Sequence, residues 1–175
     1  MVEKKIGDKV IRLVRGDITN LDVEAFVYDI TADAKLSSGY GGAIAQRGGP
    51  AVQKELDEIK SCPTGEAIIT GAGKMKSKFI IHVNGPKFNE PDTEGKLRRA
   101  TQAALERAKE KGITQLAFPP VGTGLYQVPL DLCAKVMVGT VEEHLKGNSN
   151  LKEVLFVALD TRELKPLQAR IEGGA

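Results

Sequence analysis

Three stretches of this sequence carry residue types that could do chemistry on a ligand. Gly16-Asp17-Ile18-Thr19 follows directly on an apolar run, and Ser38 to Ile44 (SGYGGAI) and Val121 to Tyr126 (VGTGLY) are glycine-rich segments leading toward helical sequence. A glycine turn that opens on a helix exposes backbone N–H groups and the positive end of the helix dipole, which suits a phosphate. Two such loops on one sheet edge would grip a diphosphate from both sides. Singly, the same glycines also make ordinary tight turns, so the pair carries the reading. Asp17, at a strand end, can accept a hydrogen bond from an exocyclic amine such as that of adenine, while Ile18 offers an apolar face to a ring. Asp17 can equally cap the next turn, and these residues alone leave both roles open.

Other chemistries fit less well. Gly39-Tyr40-Gly41-Gly42-Ala43-Ile44 breaks the dinucleotide fingerprint at its last glycine. Thr70-Gly71-Ala72-Gly73-Lys74 hints at a P-loop, but Ile68 stands where a glycine is required and Met75 where a hydroxyl would hold magnesium. His82 and His144 do not pair with a cysteine at ligand spacing, so no metal and no cofactor is expected. His82 reads as a hydrogen-bonded residue near a strand end. Cys133 falls on the apolar side of a helix, so it reads as core rather than as a nucleophile.

The elements that must position these residues alternate along the chain. Lys9 to Arg15, Val23 to Tyr28, Gly65 to Gly73, Lys78 to Val83, Gln115 to Phe118 and Val154 to Leu159 read as strands. Helices are expected from Pro50, with Val52, Leu56 and Ile59 on one face, from Glu94 to Lys111 and from Pro129 to Leu145. A last helix from Thr161 to Ile171 contains Pro166 and should be short or kinked. Asn84 to Thr93 reads as a loop. Connections long enough for parallel crossovers make this an α/β chain, with a mostly parallel sheet between helices. In such a sheet ligands bind beyond the carboxyl ends of the strands, where the glycine segments fall.

Composition narrows the classes. The chain has 175 residues, the length of one domain, and no interdomain linker or repeat. Nineteen glycines exceed the usual share of roughly 7%, without a collagen-like period. A hydrophobic content of 41% is too high for a disordered chain. The opening MVEKKIGDKV has charges where an export signal needs an apolar core, and the two cysteines, Cys62 and Cys133, make no disulfide framework, so a cytoplasmic protein is expected. A net charge of +2 does not call for nucleic acid. The alternating Lys74, Lys76 and Lys78 and the pair Arg98-Arg99 read as a solvated face.

Together these motifs resemble the macro domain, an ADP-ribose-binding module. Gly16 to Thr19 resembles its first motif, Ser38 to Pro50 its first phosphate loop and following helix, Gly65 to Gly73 and Ile80 to Pro86 its middle strands, and Ala117 to Tyr126 its second phosphate loop. The resemblance spans about residues 10–160, so residues 1–175 are expected to form a single macro-like domain. It implies a three-layer α/β/α fold with a twisted mixed, mostly parallel sheet. It implies that Asp17 meets the adenine amine and Ile18 the ring. Gly41, Gly42, Ala43 and Ile44 would surround the diphosphate with Val121, Gly122, Thr123, Gly124, Leu125 and Tyr126. Tyr126 would pack beside the distal ribose, and Leu159 and Asp160 would close the adenine pocket. The partners implied are ADP-ribose or an ADP-ribosylated protein, with no membrane.

The sequence departs from the family at the distal ribose. The family's Asn-Ala-Ala-Asn reads Tyr28-Asp29-Ile30-Thr31 here, so both asparagine amides are missing, and Tyr28 is bulkier than Asn. The acid that hydrolytic members carry in the first glycine loop aligns with Gly41; Asp29 or Asp33 are the substitutes on offer. A binder with weak or absent activity is therefore expected. The alternatives are a hydrolase that releases ADP-ribose from proteins or acetyl esters, and an RNA- or poly(A)-binding module.

Overall fold

The computed structural model describes residues 2–36, 40–87, 90–123 and 127–173. Seven strands form one sheet: β1 (Val2–Ile6), β2 (Lys9–Arg15), β3 (Ala25–Asp29), β4 (Ala67–Gly71), β5 (Phe79–Val83), β6 (Gln115–Phe118) and β7 (Glu153–Ala158). Their order across the sheet is β1-β2-β7-β6-β3-β5-β4. The central pairings are parallel, whereas β1 and β4 run antiparallel at the two edges.

Alternation along each strand builds two cores. On β7, Val154 and Phe156 face one way and Leu155 and Val157 the other. The first side is covered by α3 (Thr93–Glu110), α4 (Leu130–Lys146) and α5 (Thr161–Gly173), through Leu97, Leu105, Met137, Val141, Leu167 and Ile171. The second is covered by α1 (Tyr40–Gly48) and α2 (Pro50–Ile59), through Ile44, Val52 and Leu56. The result is the three-layer α/β/α arrangement with a mixed sheet.

Four features differ from the sequence reading. The charged opening is strand β1, joined to β2 by a turn in which Gly7 adopts φ +62°, a conformation open to glycine. The segment before Pro50 contains a helix of its own, α1. Ile59 is 38% exposed and lies off the buried face shared by Val52 and Leu56. Pro166 does not shorten α5, which runs for 13 residues, because Glu163, Leu167 and Ile171 bury on either side of the missing N–H.

A close backbone approach fixes the end of α1. Gly73 has φ +57°, and a Cβ there would lie 2.0 Å from the Gly48 carbonyl oxygen. That oxygen accepts a hydrogen bond from Lys74 N at 3.0 Å, so α1 is clamped to the β4–β5 turn.

Candidate functional site

Strands β2, β7, β6, β3 and β5 end on one edge, and the sequence-marked residues collect there. Gly16 N donates to Ala158 O at 2.9 Å, extending the β2–β7 pairing past the strands and setting Asp17 beside Leu159 and Asp160. Asp17 Oδ1 accepts from Thr19 N at 2.9 Å and from Thr19 Oγ1 at 2.7 Å, capping the 3-10 turn Ile18–Asn20. Its other oxygen, Oδ2, forms an ion pair with Arg47 Nη2 of α1 at 3.3 Å. The capping role of Asp17 thus occupies one oxygen and leaves the other to the ion pair with Arg47.

Ile18 differs from expectation. Its side chain is only 3% exposed and belongs to the core under α1 and α2. The exposed apolar side chain at this corner is Leu159, at 44%. Asp160 caps α5: its Oδ1 accepts from Glu163 N at 3.0 Å, while Glu163 Oε1 accepts from Leu159 N at 2.8 Å. This reciprocal arrangement fixes the backbone at Leu159, at the end of β7.

The first glycine segment is helical from Tyr40 onward. Gly41, Gly42, Ala43 and Ile44 therefore form the opening turns of α1 rather than a turn ahead of it. The N–H groups of a first helical turn have no intrahelical partner, so backbone donors and the helix dipole are what this segment presents to an anion. The Ile44 side chain is buried in the core. A Cβ on Gly41 would sit 3.4 Å from the Leu36 backbone. Ser38 and Gly39 lie outside the described residues, as do Gly124, Leu125 and Tyr126.

At the start of the second glycine segment, Gly122 adopts φ +79°, and a Cβ there would lie 2.8 Å from Val128 Cγ2. Its N–H donates to Asp29 Oδ2 at 3.1 Å, so this amide serves the fold. Val121 is buried beside it, and Thr123 Oγ1 donates to Pro120 O at 2.9 Å. The second Asp29 oxygen, Oδ1, is out of contact with solvent and has no hydrogen-bond partner among the described residues. Burial pushes the Asp29 carboxyl up to about 6, against the lowering effects of the Gly122 N–H and the nearby Lys87 ammonium.

The other candidate acid, Asp33, is exposed. It accepts from the Thr31 hydroxyl in a local turn closed by Ala34 N and Thr31 O at 3.0 Å. Tyr28 is partly buried against the α1–α2 core. Burial raises the Cys62 thiol to about 11 and pushes Cys133 up further, which leaves neither as a ready thiolate. His82, in β5, pairs through Nε2 with Thr70 Oγ1 at 2.9 Å, and burial lowers its pKa to about 3.

The sequence reading missed Lys87 and Arg47. Lys87 sits in a stretch read only as loop, and Arg47 in the glycine-rich stretch before Pro50. Neither has a local pattern that separates it from a solvated charge.

The family model for the Macro domain matches residues 31–137. The chain belongs to the Macro domain family. A macro domain-containing protein of Listeria monocytogenes is 39% identical over 163 residues, covering 89% of this chain and 93% of that protein. One from Caldanaerobacter subterraneus is 36% identical, covering 87% and 90%. Among solved structures, a mutant Oceanobacillus iheyensis macrodomain with ADPR superposes with a TM-score of 0.92 at 29% identity, covering 98% of this chain and 96% of that one. The same macrodomain has been solved with ADP. A Trypanosoma brucei macrodomain in complex with ADP-ribose gives a TM-score of 0.84 at 26% identity, covering 90% and 67%. This macro domain thus shares its fold with proteins that hold an adenine nucleotide diphosphate.

Proposed function

We propose that this macro domain binds ADP-ribose or a related adenine nucleotide diphosphate across the carboxyl ends of its parallel strands. The observation that carries this reading is Asp17 Oδ2, the one carboxylate oxygen not consumed by the Thr19 cap, standing at the same sheet edge as the first turn of α1 and the Gly122 segment. Asp17 receives the adenine amine, Leu159 covers the base, and the backbone donors of α1 and of the loop after Gly122 receive the diphosphate. Solved relatives holding ADP and ADP-ribose support it.

Hydrolysis of ADP-ribose esters is weak or absent in this reading. A hydrolase needs a positioned water, activated by a carboxylate or by the substrate's own phosphate. Asp29 is bound to Gly122 N–H and Asp33 to Thr31, so neither is held for that task. The cytoplasm, where ADP-ribosylated proteins would be met, fits the reduced buried cysteines.

Thermal melting with ADP-ribose, ADP, AMP and ribose 5-phosphate tests the binding. The diphosphates should raise Tm in a concentration-dependent way and the two monophosphates much less. Equal shifts from all four would argue against a diphosphate cleft. Incubation with a mono-ADP-ribosylated protein and with O-acetyl-ADP-ribose tests the second claim. Release of ADP-ribose over many turnovers would overturn it.

A further inference from the structure

Helix α3 leads from β5 to β6 and α4 from β6 to β7, all parallel strands, so the two helices run in the same direction, packed side by side. A groove of about 770 Å³ lies along their contact, with Leu105 and Val136 buried in its walls. The two helices are also level. Arg98 Nη2 of α3 and Lys135 Nζ of α4 both reach Glu94, at 3.2 and 3.8 Å. Two turns further along, burial lowers the pKa of His144 in α4, and Glu106 of α3 is near enough to oppose that effect.

Gly139 lies in this groove, midway along the 17-residue α4. Glycine in a helix interior destabilises the helix relative to alanine. Nothing around α4 asks for it, because a Cβ at this position would meet no atom within 4 Å. What the missing side chain supplies is a low point in the groove wall, where a second helix can approach backbone to backbone. The charges around it follow one order on both helices. Arg98, Gln102 and Glu106 are spaced by four residues on α3, and Lys135, Gly139 and Glu143 by four on α4. One end of the groove is therefore cationic and the other acidic. Within the chain these charges are loosely held: Arg98 and Lys135 share Glu94, Glu143 reaches Lys146 at 3.9 Å, and Glu106 makes no ion pair among the described residues. Exposed pairs of this kind contribute little and exchange readily.

A cation–neutral–acid order is its own complement under one operation. A two-fold axis laid across the helices at Gln102 and Gly139 sets two copies antiparallel and exchanges the ends of the groove. An axis along the helices would set like charges opposite each other. We propose that this groove is the face on which a second copy of the chain docks, with α4 crossing α4 at Gly139. Lys135 of each copy then meets Glu143 of the second copy, and Arg98 meets Glu106 of the second copy. The charges set orientation and register, and the close approach over Gly139 supplies the packed contact. Added salt weakens the association, because all four charges sit at an exposed rim.

The test is sedimentation velocity over a concentration series, on wild type, Gly139→Leu, Lys135→Glu and Glu143→Lys. Wild type should pass from the 18.8 kDa monomer to twice that mass as concentration rises into the high micromolar range. Gly139→Leu should stay monomeric, since leucine suits the helix but fills the low point of the groove. Each charge reversal counts twice in a two-fold dimer and should raise the dimer Kd roughly tenfold or more. Mixing Lys135→Glu with Glu143→Lys in equal amounts should restore the dimer, because the two variants oppose opposite charges at both pairs. Circular dichroism on each variant checks the fold, which these exposed positions should not disturb. Wild type that remains a monomer at high micromolar concentration would overturn the proposal. So would a dimer undiminished by Gly139→Leu and by both reversals, or two monomeric reversals that fail to associate when mixed.

Discussion

Asp29 Oδ2 accepts a hydrogen bond from Gly122 N–H at 3.1 Å, tying the end of β3 to the second glycine segment 93 residues along the chain. The bond places a carboxylate under the loop proposed to hold the diphosphate, with its second oxygen buried and without a hydrogen-bond partner among the described residues. Desolvation dominates its pKa, which rises from 3.8 to about 6. Protonation therefore removes a like charge from beneath the diphosphate. ADP-ribose affinity should rise a few-fold as pH falls from 8 to 5.5, and Asp29→Asn should bind at pH 8 about as well as wild type does at pH 5.5. Titration calorimetry at the two pH values checks this. A pH-independent affinity in wild type, or weaker binding by Asp29→Asn, would oppose it.

The same group predicts a stability profile. Because the folded pKa of Asp29 is raised, the native state binds a proton the unfolded chain has released, and its contribution to stability declines as pH climbs from about 4 to about 6. His82 acts in the opposite sense. Its pKa is lowered from 6.5 to about 3 by burial, so the unfolded chain binds the extra proton and stability grows with pH across that window. The two slopes oppose each other in wild type. Asp29→Asn should therefore steepen acid destabilisation, and His82→Gln, which can still bond Thr70, should flatten or invert it. Urea midpoints measured from pH 4 to pH 7 report both. Parallel profiles in all three proteins would refute the assignment.

Gly73→Ala tests the clamp on α1. The new Cβ would meet the Gly48 carbonyl at 2.0 Å from a φ of +57°, so the α1 end and the β4–β5 turn must separate. Strain of this kind costs on the order of 1–3 kcal/mol, which lowers Tm by roughly 2–4 °C per kcal/mol for a chain of this size. Affinity for ADP-ribose should fall too, because α1 carries Gly41 to Ile44, whose backbone donors are proposed to receive the diphosphate. A variant that melts and binds like wild type would count against this clamp.

The fold was largely legible because its central strands are short apolar runs between turns. Lys9 to Arg15 and Gln115 to Phe118 became β2 and β6 with the same bounds. β1 was hidden because VEKKI spreads charge along an edge strand whose residues stay exposed or half-buried. α1 was hidden because three of its nine residues are glycines, which weakens any helical propensity; tertiary packing of Ile44 against the core overrides it.

The site was legible in outline only. Asp17 could be placed at a strand end because its neighbours alternate, and Asp160 because it follows a fully apolar run. The division of labour between the two Asp17 oxygens, the bond from Gly122 to Asp29 and the approach of Arg47 all join residues distant in sequence. Burial of Ile18 was also beyond local reading, since a strand-end isoleucine can face either the cleft or the core. That choice is set by α1, whose position depends on Gly48 and Gly73.

The most direct test of the central claim is calorimetric titration of ADP-ribose into wild type and Asp17→Asn. The amide keeps the Oδ1 acceptor for the Thr19 cap and turns a donor toward the adenine amine in place of Oδ2. The nucleotide-cleft account predicts saturable binding in wild type and at least a roughly tenfold loss in the variant, with its melting temperature little changed. No heat from wild type at high micromolar ligand, or equal affinity in the two proteins, would contradict it.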